Sequence, residues 1–171
     1  LLASSAASDV YKRQILKKLR THGGTKRNQH DLIGYNSRLD EIQAAVLNIK
    51  LNYLQSFIKK RKKIAESYSS IIKNDKFKLP FAHKNSNHTY NQFTIRVKQR
   101  GKLESYLKQH QIPYGVYYSK PMYKYNAYKK FSYKPLPMVE KVSKQCLSLP
   151  IYPELSLKYV EFIGKTLNNY E

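Results

Sequence analysis

The chain has 171 residues, a single cysteine and a formal net charge of +21. Hydrophobic residues make up 41% of it, enough to build a core, so it does not read as disordered. No apolar run approaches the ~18 residues of a bilayer span and no secretory apolar segment opens the chain, so no membrane partner is expected. Cys146, being alone, excludes an internal disulfide, points to a reducing, cytoplasmic setting, and reads as a buried structural thiol.

The cations are mostly lysines spread along the chain, with arginine at 13, 20, 27, 38, 61, 96 and 100 only. Such a balance suits a nucleic-acid binder, and compositional bias rich in Lys, Asn, Ile and Tyr produces it equally well. An anionic ligand would be steered in, less so at high salt.

Residues 1–14 are rich in Ser and Ala, unlike the rest of the chain, and read as translated adapter sequence rather than native protein; the chain is then a fragment. Residues 15–21 look like the last turns of an amphipathic helix, stopped by His22-Gly23-Gly24. Residues 24–33 read as a polar, basic loop. His22 and His30 lack partners at metal-ligand spacing, so no metal site is expected. From Arg38 the apolar positions 39, 42, 46, 49, 53, 57, 64, 68 and 72 form a helical stripe, predicting one long helix over 38–72 with Ser37 as its cap. The run Lys59 to Lys63 reads as a solvated face of that helix.

Beyond it, residues 77–81 are a short extended piece. Residues 88–98 alternate as a strand, with Phe93, Ile95 and Val97 on the inner face. Helices are expected over 102–110 and 137–146, a second strand over 114–118 and an extended run over 147–150. Ser156 is placed to cap a last helix ending at Leu167. The fold class is α+β: a long linking helix, then a small, mostly antiparallel sheet with helices packed on it. No P-loop, dinucleotide fingerprint, zinc spacing or nucleophile elbow is found.

Several pieces together resemble the DegT/DnrJ/StrS family of pyridoxal-phosphate-dependent nucleotide-sugar aminotransferases. They are Leu19-Arg20-Thr21-His22-Gly23, the corner from Gly34 to Ala45, His88-Thr89-Tyr90 leading to Arg96, Gly115 to Pro121, and Leu147 to Leu155. The resemblance covers residues 15–171, the C-terminal half of a family member. It implies that residues 15–37 end a large cofactor-binding domain, 38–72 link, and 73–171 form the small C-terminal domain of a fold-type-I homodimer with shared active sites. The cofactor is then pyridoxal 5'-phosphate, the amino donor L-glutamate, and the acceptor a keto group of a nucleotide-activated sugar. The sugar is UDP-linked by the look of Tyr117 to Pro121, and the product serves lipopolysaccharide or another surface glycan.

By the same resemblance Asn36 reaches the cofactor phosphate of the partner subunit. Arg38 contacts substrate at that site, Tyr117 and Tyr118 touch the nucleotide sugar, and His88 and Tyr90 sit at its edge. An amide donates to phosphate without a charge cost, and a guanidinium grips a carboxylate or phosphate with two bonds. Many members carry His where this chain has Tyr117 and Tyr123, which leaves the sugar open. No lysine here lies in a segment like the one that bonds the cofactor, so no catalytic residue is assigned and the chain alone is expected to be inactive. Two other readings stand beside this one: a non-catalytic regulatory relative, and a basic nucleic-acid-binding module. The adopted reading has no nucleic-acid partner.

Overall fold

The structure, a computed structural model, describes residues 2–26, 29–37, 39–128 and 134–171, with side chains from residue 9 onward and Ala127 excepted. Its elements are α1 (Leu2–Leu19), α2 (Glu41–Ile71), β1 (Phe93–Arg96), α3 (Arg100–Gln109), α4 (Pro137–Gln145), β2 (Cys146–Leu149) and α5 (Leu157–Asn168), with 3-10 turns at Met122–Lys124 and Asn126–Tyr128. The chain forms two compact units, Leu1–Asn52 and Tyr53–Glu171, and α2 runs through the boundary.

In the first unit α1 is longer than the expected last turns, because it continues back through the Ser/Ala-rich start. It stops where expected. His22 and Gly23 take left-handed φ of 59° and 85°, and the Gly23 N–H returns to the Lys18 carbonyl at 2.9 Å, closing the helix end. The chain then doubles back. Thr21 and Asn36 form an antiparallel bridge, with Tyr35 N–H donating to the Leu19 carbonyl at 2.7 Å and Ser37 N–H to the Arg20 carbonyl at 3.1 Å. That pairing holds 35–37 extended, so α2 begins at Glu41 and Ser37 is not its cap.

The second unit holds a core of Tyr68 from α2, Phe93 and Ile95 from β1, Leu103 and Leu107 from α3, Leu147 from β2, and Val160, Ile163 and Leu167 from α5. The sheet is antiparallel and two-stranded, pairing Phe93 with Leu149, Thr94 with Ser148, Ile95 with Leu147 and Arg96 with Cys146. Phe93, Ile95 and Val97 are buried, as their alternation implies, but the strand itself is four residues long. The expected strands at 77–81 and 114–118 each shrink to one bridge, Lys78 with Arg96 and Gly115 with Ser148. Pro80 interrupts the first, since proline brings no N–H to a ladder. Ser156 caps α5, its hydroxyl accepting from Tyr159 N–H at 3.2 Å. The apolar spacing of 137–146 gives α4, except that Cys146 already belongs to β2, where it is buried.

Candidate functional site

In the second unit, the ends of β1 and β2 and the segment after Pro113 enclose an open cleft of about 310 Å³. Its walls carry Asn91, Gln92, Tyr114, Tyr117 and Ser148, and Leu149 to Ile151 close one side. A glycine at 115 makes room for the Tyr117 ring. It exchanges backbone bonds with Ser148 at 3.0 and 2.7 Å, and a Cβ there would lie 2.6 Å from the Tyr117 ring. Without one, the phenol packs against the Gly115 backbone, and Tyr117 lines the cleft. Inside the sheet the Thr94 and Ser148 hydroxyls share a hydrogen bond of 2.8 Å across the pair of residues they oppose.

Two loops on the rim are anchored from α2. The Tyr68 hydroxyl donates to the Pro150 carbonyl at 3.0 Å. Two turns earlier, Arg61 Nη1 donates to the Ile151 carbonyl at 2.8 Å, with the Asn91 and Tyr90 carbonyls at 3.4 and 3.5 Å. Burial raises the Tyr68 phenol well above the ordinary tyrosine value, so it stays a donor. The His88 and Tyr90 rings meet at a tilt with centroids 4.3 Å apart, and Tyr90 leads inward to Phe93 and Tyr68 through ring contacts of 6.4 and 4.9 Å.

The residues singled out by sequence are not all brought together. Tyr117 lines the cleft. His88 and Tyr90 sit on the loop that delivers Asn91 and Gln92 to it. Tyr118 is 73% exposed and outside the cleft lining; its ring meets Tyr117 edge-on at 6.0 Å. Asn36 belongs to the first unit, and Arg38 lies outside the described residues. The Asn36 backbone is pinned by the bridge to Thr21, while its side chain is exposed and makes no hydrogen bond among the described residues. Among the described residues no group of three His, Cys, Asp or Glu is placed to hold a metal.

Other side chains acquire roles that the sequence reading missed. Arg61 and Lys62 are half-buried rather than solvated, and Lys62 donates to the Asn87 side chain. A signal for Arg61 was present: it takes the slot between Phe57 and Ile64 in the stripe that faces the core. Tyr123 donates to the Glu140 carboxylate at 2.7 Å and Lys124 pairs with it at 2.8 Å, tying the 3-10 turn to α4. Those two bonds, the lysine's first, hold the Glu140 carboxyl below the usual range. Lys120, itself exposed, lies 5.3 Å over the Tyr125 ring.

Comparison with known proteins places this architecture. A model of the DegT/DnrJ/EryC1/StrS aminotransferase family matches residues 7–168. The dTDP-3-amino-3,6-dideoxy-alpha-D-galactopyranose transaminase of Aneurinibacillus thermoaerophilus is 36% identical over 91% of this chain and 43% of its own length. The UDP-2-acetamido-2-deoxy-3-oxo-D-glucuronate aminotransferase of Pseudomonas aeruginosa is 33% identical over 90% of this chain and 43% of its own. Among solved structures, S. venezuelae DesV superposes with a TM-score of 0.84 at 31% identity, over 91% of this chain and 43% of that one. The chain thus spans less than half the length of the curated relatives it matches. The family match covers residues of both units, and the chain belongs to the DegT/DnrJ/EryC1/StrS aminotransferase family, whose members depend on pyridoxal phosphate.

Proposed function

We propose that this chain is the C-terminal part of a sugar-nucleotide transaminase that moves an amino group from L-glutamate to a keto group of a nucleotide-activated sugar. The observation that carries the reading is the Tyr117-lined cleft in a chain similar over nine-tenths of its length to transaminases of dTDP- and UDP-linked sugars. Pyridoxal phosphate supplies an electron sink when bound. This chain's residues bind and orient. Tyr117 presents a ring face and a hydroxyl to the sugar nucleotide, and Tyr118, His88 and Tyr90 complete its rim. Asn36 donates to the cofactor phosphate and Arg38 to the substrate, both in a partner subunit's site. The excess of cations draws in a ligand carrying a pyrophosphate.

A UDP-linked sugar is the preferred acceptor on the resemblance of Tyr117 to Pro121, with a surface glycan as the destination and the cytoplasm as the setting. Among the described residues no helix is long and apolar enough to cross a membrane. The chain by itself does not turn over, since no lysine in it lies in a cofactor-bonding segment.

The test is a titration of UDP- and dTDP-linked sugars into the protein, followed by calorimetry. Tyr117→Ala should weaken binding by about tenfold or more, the loss of a stacked ring and a hydroxyl. Unchanged affinity in Tyr117→Ala would remove the cleft from the site. A regulatory role is the second reading, favoured by 35% identity to the Geobacillus stearothermophilus "Pleiotropic regulatory protein" over 89% of this chain.

A further inference from the structure

Arg61 stands in a slot of α2 that faces the core, yet no carboxylate pairs with it among the described residues. Its partners are three backbone carbonyls from two loops, Ile151 at 2.8 Å, Asn91 at 3.4 Å and Tyr90 at 3.5 Å, all approached by one nitrogen, Nη1. A half-buried guanidinium must satisfy its donors, and carbonyls gathered at one point are held there by its charge.

Tyr90 takes φ of +49°, a conformation that an aromatic residue adopts only when its surroundings over-determine it. Two bonds frame it. Its carbonyl faces Arg61, and its N–H donates to His88 Nδ1 at 2.9 Å. A neutral imidazole that accepts at Nδ1 carries its proton on Nε2, so the frame also selects the tautomer of His88. The two rings also touch, tilted by 43° with centroids 4.3 Å apart.

We propose that Arg61 is a positioning residue of the cleft: by holding the Tyr90, Asn91 and Ile151 carbonyls together, it keeps Tyr90 left-handed and His88 as the Nε2–H tautomer, a ready donor at the rim. The link to substrate rests on the nucleotide-sugar reading; the link from Arg61 to His88 does not. Lysine does not replace the guanidinium here, because its ammonium ends about one bond short of the place where Nη1 meets the three carbonyls.

The experiment is nitrogen-15 NMR of the histidine side chains in the 171-residue chain, above the ordinary histidine range, with the His88 signals assigned by their loss in His88→Gln. The variants are Arg61→Lys, Arg61→Ala and the exposed neighbour Lys60→Ala. Nucleotide-sugar affinity is measured on the same samples. The unaltered chain and Lys60→Ala should show one protonated nitrogen, Nε2, and an accepting Nδ1. Both Arg61 variants should show the averaged pattern of two exchanging tautomers, with affinity about tenfold weaker in Arg61→Ala. If Arg61→Ala does not fold, Arg61→Lys supplies the answer. His88 signals unchanged in the folded Arg61 variants overturn the proposal, whatever happens to affinity. A changed tautomer in a protein that binds no nucleotide sugar leaves the positioning role standing and removes the functional reading instead.

Discussion

Tyr68 and Arg61 stand seven residues apart on one face of α2 and grip consecutive carbonyls, Pro150 and Ile151. A single atom therefore tests the wall of the cleft. Tyr68→Phe keeps the buried ring and leaves the Pro150 carbonyl without its donor. It should cost about 1–2 kcal/mol in denaturant unfolding, the usual loss for one buried hydrogen bond, and a cost near zero would show that water replaces the hydroxyl. In the first unit, the Asp31 carboxylate accepts from Lys18 Nζ at 2.7 Å. That hydrogen bond and the lysine's charge hold its carboxyl below the ordinary aspartate value. A depressed folded value means that the contribution is present above the unfolded value of about 3.9 and lost as pH falls through the folded one. Lys18→Met should return the Asp31 titration, read by NMR, to the ordinary range. None of these partners was legible in the sequence, since hydrogen bonds to carbonyls depend on which loops meet and not on residue type. Tyr117 was legible only through its motif; its place in the cleft depends on the missing Cβ of Gly115.

Periodicity located the helices well because each buries a stripe. α5 shows this: Val160, Ile163, Gly164 and Leu167 all face inward. Gly164 has a packing reason, for a Cβ there would meet Ile71 Cγ2 at 2.5 Å and Cβ at 3.1 Å. Gly164→Ala, which raises helix propensity, should nevertheless destabilise by about 1–3 kcal/mol, because the stem of Ile71 must move. A stabilised variant would show that α5 shifts freely. Strand lengths were overestimated because alternation marks a buried face and not a partner. Residues 88–92 alternate, but Tyr90 turns left-handed and breaks the ladder before Phe93. The start of α2 was displaced for a similar reason: the bridge between Thr21 and Asn36 outcompetes a cap at Ser37.

In the whole molecule, the two halves of the stripe on α2 differ. The second half packs in the core through Ile64 and Tyr68, continued by Ile72 just past the helix, whereas Ile42, Val46, Ile49 and Tyr53 in the first half are 81, 48, 63 and 56% exposed. Apolar residues at that spacing are written for a partner surface. The chain spans 43% of the length of its transaminase relatives. We therefore expect the 171-residue chain to self-associate, with Ile42→Glu and Ile49→Glu together lowering its apparent mass in sedimentation; an unaltered monomer would contradict this. Sugar transamination is measured on the full-length transaminase proposed above. With pyridoxal phosphate, L-glutamate and a UDP- or dTDP-linked keto sugar, 2-oxoglutarate should be released in step with an amino sugar nucleotide. A protein that binds the cofactor and releases no 2-oxoglutarate with any such sugar would contradict the account and leave the regulatory reading in its place.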